Sequence, residues 1–271
     1  MAIHEVFTTC ILEVDDNGVA VLTLTDVKRM NPFNVEALNN ILRAITLLKE
    51  SSEAQVLIIT GVDQIFSAGG DINSLASIDT ISNAKRSFDG TSFIVNLFYE
   101  LEIPVIAAVN GVVAGAALAL MMACDLIIGS ENSLLMFSFR HIAFTPDSGT
   151  SYFFTRRLGY YKAAELLFLG ENINAQKAAE LGIFNKVVPA EDLLKETRKY
   201  AEKIAAGPMM TIGYDKKLLH AAMQNNLYQQ QELESLYQVL ACSSEDFREG
   251  TKAFAEKRKP LFRGKLKMGY R

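Results

Sequence analysis

Gly115-Ala116-Ala117 marks a place where the chain can hold negative charge on a ligand. The preceding run at 105–109 is apolar and rich in β-branched residues, the pattern of a buried strand. Asn110-Gly111 breaks it with a turn. Beyond Gly115 the side chains are small, and Ala, Leu and Met favour a helix through Ala123. A helix starting there presents backbone N–H groups without intrahelical partners, at the positive end of its dipole. Its small side chains let a ligand approach that backbone closely. Three other stretches carry reactive or permissive groups. One is the glycine-bearing loop Phe66-Ser67-Ala68-Gly69-Gly70-Asp71-Ile72. Another is Thr145-Pro146-Asp147-Ser148-Gly149-Thr150, a turn opening a helix in which Asp147 has the chemistry of an N-cap. The third holds His141, a hydrogen-bond donor or acid amid Phe139, Ile142 and Phe144. His4 and His220 have no neighbours that would complete a nucleophilic triad, and no metal cluster stands out.

The elements that position these groups follow from periodicity. Residues 9–14 and 19–25 read as a hairpin around Asp15-Asp16-Asn17-Gly18. Lys28-Arg29-Met30-Asn31-Pro32 is a polar turn, and Asn34 caps a helix with apolar positions at Leu38, Ile41, Leu42, Ile45 and Leu48. Residues 55–60 form a buried strand. The polar stretch 73–90 reads as a variable connection, followed by a helix over 92–101. Strands follow at 125–128, 134–137 and 184–188, with helices at 150–157, 162–168 and from the Asn174 cap to Gly182. After Glu191 strand signals vanish, and 193–205, 209–223, 227–243 and 245–257 all read as helices. The change near Gly207-Pro208 divides the chain into 1–207, a mixed α/β core, and 208–271, a helical region.

Composition narrows the function. With 271 residues and 49% hydrophobic residues, the chain buries a large core, and a net charge of −4 argues against a nucleic-acid surface. Cys10, Cys124 and Cys242 are too far apart for a metal-ligand motif and suit a reducing, cytoplasmic compartment, or an organelle in a eukaryote. Residues 1–14 lack the basic and apolar blocks of a signal peptide, and no apolar run reaches the ~20 residues of a membrane span.

Phe66 to Ile72, Pro104 to Gly111 and Gly115-Ala116-Ala117, together with 176–188 and the terminal Phe254-Ala255-Glu256-Lys257-Arg258-Lys259-Pro260, resemble the crotonase superfamily of enoyl-CoA hydratases and isomerases. The resemblance covers nearly the whole chain. It implies an α/β fold, a ββα spiral core with a helical C-terminal trimerisation region, assembled as a homotrimer or hexamer. It implies an acyl-CoA thioester substrate, with coenzyme A as part of that substrate and no further cofactor or metal. The Gly70 and Ala116 N–H groups would hold the thioester oxygen as an enolate forms. Ser67, Ala68, Asp71 and Ile72 would contact coenzyme A, mainly around the adenine. Lys28 and Arg29 would approach its phosphates, joined by Lys257 or Arg258 from the C-terminal region or a neighbouring subunit.

The resemblance also shows a departure. The positions matching the two hydratase glutamates are Ala119 and Phe139, and neither exchanges a proton. Asp147 matches the single carboxylate of enoyl-CoA isomerases. An apolar surround from Phe139, Ile142, Phe144, Phe153 and Phe154 would raise its pKa. Phe139 and His141 would line the pocket. The leading expectation is a double-bond isomerase with Asp147 as sole acid/base. A hydrolase or dehalogenase using the same aspartate, a decarboxylase, and an acyl-CoA binder without turnover stand as alternatives.

Overall fold

The computed structural model describes residues 3–51, 53–72 and 79–264. The chain opens with β1 (Ile3–Val6), β2 (Cys10–Val14) and β3 (Val19–Leu24), then α1 (Val35–Ser51). β1 was not expected: it is an edge strand with mostly exposed residues, so it lacks the apolar alternation that marks a strand in sequence. A repeating strand–strand–helix unit follows. It comprises β4 (Val56–Thr60), β5 (Ile65–Ser67) and α2 (Ile81–Tyr99), then β6 (Val105–Val109), β7 (Val112–Ala114) and α3 (Ala116–Met122). The next unit holds β8 (Leu126–Ser130), β9 (Leu134–Met136), α4 (Thr150–Leu158) and α5 (Tyr160–Leu169). Then come β10 (Ile173–Asn174), α6 (Ala175–Glu180) and β11 (Lys186–Val188). The remainder is helical: α7 (Leu193–Ala205), α8 (Met209–Ala222), α9 (Leu227–Cys242) and α10 (Glu245–Ala255).

Each unit gives one strand to each of two sheets. The larger sheet has the order β1-β2-β3-β4-β6-β8-β11, and the smaller β10-β9-β7-β5. The β1–β2–β3 hairpins and the β10–β9 pair are antiparallel, and the other neighbours are parallel. This is the expected ββα spiral. Period-2 alternation divides the strand β4 between two cores. Leu57 and Ile59 face the main core, whereas Val56 and Ile58 pack with Leu193 and Ala201 of α7. Because both faces are covered, the strand reads as a continuous apolar run.

The stretch 73–90 differs from expectation. Residues 73–78 lie outside the described residues, but α2 begins at Ile81, well before Ser92, with the Thr80 hydroxyl accepting from Asn83 N. Its first turns are exposed and polar, so they carry no apolar stripe to read. Among the described residues no helix is long and apolar enough to cross a membrane.

Candidate active site

Two backbone segments meet at the start of α3. The first is held rigid by asparagine side chains. Asn110 Nδ2 donates to the carbonyls of Val62, Asp63 and Ile65 at 3.0–3.2 Å, and its Oδ1 accepts from Gly61 N. Asn31 Nδ2 donates to Phe66 O at 3.0 Å. Ser67 Oγ donates to Asn31 O at 2.6 Å and accepts from Gly69 N. Gly69 then adopts φ +78°, and a Cβ there would stand 2.4 Å from Ala114 O and 2.8 Å from Ala116 N. Only glycine meets both demands. The Gly69 carbonyl accepts from Phe33 N at 2.7 Å. Across a trans peptide this turns the Gly70 N–H away from Phe33.

The second segment is Gly115, at φ +53° and ψ −130°, a conformation open to glycine. It launches α3, whose seven residues are all buried. Ala116 occupies the first helical position, and its N–H has no intrahelical partner. Among the described residues, neither Gly70 N nor Ala116 N is given to a protein acceptor.

Gly70, Ala116 and Asp147 line one cavity of about 370 Å³, within the roughly 300–1,000 Å³ typical of small-molecule sites. Its walls come from α1 (Val35, Leu38, Leu42) and α2 (Phe88, Phe93, Ile94). Asp147 is not the N-cap that its sequence setting admits. Gly149 caps α4 and no side chain bonds to the cap, while the Asp147 backbone carbonyl takes Thr150 N at 2.8 Å. Its carboxylate Oδ1 is buried without a hydrogen-bond partner. Burial pushes the carboxyl up to about 6. The same turn holds two further buried oxygens without partners, Ser148 Oγ and Thr150 Oγ1, with Ser148 at φ +53°. Unpartnered polar atoms and a positive φ thus gather in this turn, as they do at Met30 and Asn31, where Asn31 holds the Gly69 loop. Ser148 and Thr150 were not singled out in the sequence because their setting is ordinary cap chemistry.

The aromatic surround differs from expectation. Phe33, Phe88 and Phe93 supply it, and Phe88 packs on Phe144 with centroids 5.4 Å apart. Phe139 and Phe154 lie in the main core, and Ile142 is exposed. Phe139 therefore does not line the cavity. Nor does His141: its Nε2 sits 3.1 Å from Gly170 O, next to Arg140, whose guanidinium donates to Phe168 O and Leu169 O. Both residues serve the C-terminal carbonyls of α5, which need donors.

The residues assigned to coenzyme A divide. Asp71 lines the same cavity as Gly70. Ala68 donates its N–H to Met30 O at 2.9 Å, which places the exposed Lys28 beside the loop. Ile72 is also exposed. Ser67 is fully buried and builds the loop from within. Arg29 is engaged by Asp26 at 2.7 Å and Glu36 at 3.5 Å. Arg258 forms a two-pronged pair with Glu249 at 2.6 and 2.9 Å and also meets Glu256, so it fastens the end of α10. Lys257, beside it, is exposed and away from the cavity within one chain. Among the described residues no group of His, Cys, Asp and Glu is arranged to hold a metal ion.

The comparisons with known proteins agree with this architecture. The family model for enoyl-CoA hydratase/isomerase matches residues 15–265. A trans-2-decenoyl-[acyl-carrier-protein] isomerase of Streptococcus mutans is 32% identical over 92% of this chain and 96% of its own length. A 1,2-epoxyphenylacetyl-CoA isomerase of Escherichia coli is 33% identical over 94% of this chain and 98% of its own. The crystal structure of an enoyl-CoA hydratase from Polaromonas sp. JS666 superposes with a TM-score of 0.89 at 30% identity, covering 94% of this chain and 99% of that one. With its spiral of paired strands and a matched span reaching from the first hairpin to the C-terminal helices, the chain belongs to the enoyl-CoA hydratase/isomerase family of the crotonase superfamily.

Proposed function

We propose that this protein is an enoyl-CoA isomerase that moves a double bond from the 3- to the 2-position of an acyl thioester. One observation carries this reading: Asp147, whose Oδ1 is buried without a hydrogen-bond partner, shares a cavity with the Gly70 and Ala116 amides, which no protein acceptor takes. Relatives named as isomerases and as hydratases match about equally well, so names do not decide the reaction. The residues at the positions of the hydratase glutamates, Ala119 and Phe139, are buried and apolar here. Hydration requires a positioned water and a proton donor. A shift of a double bond requires one group that takes a proton and returns it.

In this mechanism the thioester carbonyl sits against the Gly70 and Ala116 amides. Asp147 removes a proton from C2. The electron pair moves into the thioester, and the oxygen takes up negative charge in the field of the two N–H groups and the α3 dipole. The Asp147 acid then returns the same proton to C4, the 3,4 double bond becomes the 2,3 double bond, and the carboxylate is regenerated. A carboxyl near 6 suits both steps, being mostly ionised at neutral pH yet a better base than a free aspartate. Phe33, Phe88 and Phe93 keep water from the dienolate. The same reading takes coenzyme A as part of the substrate and the homotrimer or hexamer as the assembly. Exposed Leu236, Val239 and Leu240 of α9 and Phe247 and Phe254 of α10 support a covered face there.

The test uses a 3-enoyl-CoA deuterated at C2. Appearance of the conjugated thioester with deuterium at C4 supports one carboxylate carrying the proton. A 3-hydroxyacyl product, or free acid and coenzyme A, would contradict it.

A further inference from the structure

Asp147 does not fix its own position. Among the described residues, the backbone hydrogen bonds of the connection 145–149 run only into α4: Thr150 N donates to Asp147 O at 2.8 Å, and Phe153 N to Gly149 O at 3.0 Å. Asp147 therefore moves with the start of α4. The Ala116 amide is the start of α3. Among the described residues no hydrogen bond joins these two starts, and the helices are tied only at their far ends. There Arg157, in the last turn of α4, donates from Nη2 to Met122 O and to Cys124 O, both at 3.2 Å. The neighbouring Asp125 pairs instead with Lys216 at 2.8 Å. The two helices thus run side by side in the same direction, with Ala116 and Asp147 lining one cavity and the opposite ends fastened. From Ala116 to Met122 and from Thr150 to Arg157 each covers ~9–10 Å, so the tie sits one short helix length from the site.

We infer that Arg157 is a positioning residue for the reaction: by fastening the end of α4 to the end of α3, it sets where Asp147 stands relative to the Ala116 amide. This rests on the reading of Asp147 as the base and adds a residue that acts through it. The Ala116 side of the frame is held without Arg157. Ahead of Gly115, β7 pairs with β5 and β9, and the Gly69 loop packs against Ala114 O and Ala116 N. Loss of the tie therefore displaces the base and leaves the oxyanion amides in place. A catalytic group misplaced by ~1 Å costs about 10²-fold in rate, so a small swing of α4 is enough. Lysine keeps the positive charge but presents it as a point on a flexible stem, without the fixed plane of the guanidinium.

The experiment follows exchange of the C2 protons of hexanoyl-CoA, a saturated thioester, in deuterium oxide by NMR, alongside kcat for a 3-enoyl-CoA. Exchange needs only the base and the amides. Asp147 takes a C2 proton and the C–H electron pair moves into the thioester. The carboxyl trades its proton with solvent, and a deuteron returns to C2 as the enolate collapses. The proteins are wild type, Arg157→Met, Arg157→Lys and, as a stability comparison, Lys216→Met. Arg157→Met loses about 10²-fold in exchange rate and in kcat. Its calorimetric affinity for hexanoyl-CoA and the infrared frequency of the bound thioester carbonyl, which reports the two amides, stay those of wild type. Arg157→Lys shows a smaller loss in the same direction and secures a second folded variant. Lys216→Met, which touches neither helix start, exchanges at the wild-type rate. An unchanged exchange rate in the folded Arg157 variants overturns the proposal, as does an equal loss in Lys216→Met. A shifted carbonyl band also overturns it, since the disturbance would then lie at the amides. A wild type that exchanges C2 protons but does not isomerise a 3-enoyl-CoA sinks only the isomerase. A wild type that does not exchange them sinks both.

Discussion

The two ends of α3 are treated in opposite ways. At its N-terminus the amides of Ala116 and neighbouring Gly70 are left without protein acceptors, and Asp147, in the same cavity, has a buried oxygen without a partner. Its C-terminus, by contrast, is met by cationic side chains. Arg157 donates to Met122 O and Cys124 O, both at 3.2 Å. The adjoining Asp125 accepts from Val105 N at 2.7 Å and from the buried Lys216 at 2.8 Å, with His220 3.8 Å away. One helix thus has a negative end neutralised by cations and a positive end left open. Two aspartates follow the same division. Asp125 ties β6 to α8, whereas Asp147 is desolvated and its buried Oδ1 has no partner. The difference teaches that unmet polar groups, rather than burial or charge alone, set the end of α3 where we place the chemistry apart from its other end.

Substitutions at the two ends should separate activity from stability. The largest effect is expected from Ala116→Pro. Proline is tolerated at the first helical position, so the fold should survive, but the variant loses one of the two N–H donors. Steady-state kinetics should show kcat reduced by about 10²–10³-fold, the loss associated with one oxyanion donor, with a melting temperature near that of wild type. Lys216→Met should do the reverse. Leaving Asp125 without its cation should lower stability by roughly 3 kcal/mol in denaturant unfolding, with the remaining folded protein still active. The smallest effect is a gain. Asp147→Asn should stabilise the protein by roughly 1–3 kcal/mol at neutral pH. The sign follows from the raised pKa: between about 4, the value of a free aspartate, and about 6, the folded chain binds more protons than the unfolded one. Stability from this group is therefore full below that range and lost as pH rises through it. Unfolding curves of both proteins should converge near pH ~4 and separate above about 6. A constant difference across that range would remove Asp147 from its desolvated setting.

How much was legible in the sequence follows the same division. The α3 start was readable because β-branched residues, a turn and then small helix formers change character abruptly within 105–123. The C-terminal helices were readable from their periodicity, and α7 matched its expected span. The N-terminal half of α2 was not, since its polar turns face outward and carry no stripe. Nor was the fate of the charged and polar residues near the site. His141 and Arg258 have the right chemistry for a ligand, but His141 meets a helix-end carbonyl 29 residues away and Arg258 reaches back to Glu249 on the preceding helix, contacts that only the fold reveals. Asp147 had two sequence-compatible roles, and only the absence of a cap bond and the orphaned oxygen separate them.

The most direct measurement is the turnover number for conversion of a 3-enoyl-CoA to its conjugated isomer by wild type and by Asp147→Asn. Asparagine keeps the shape of the side chain and takes no proton. The single-carboxylate account predicts turnover by the wild type and a fall of about 10²–10⁴-fold in the variant. Equal turnover by the two proteins would contradict it.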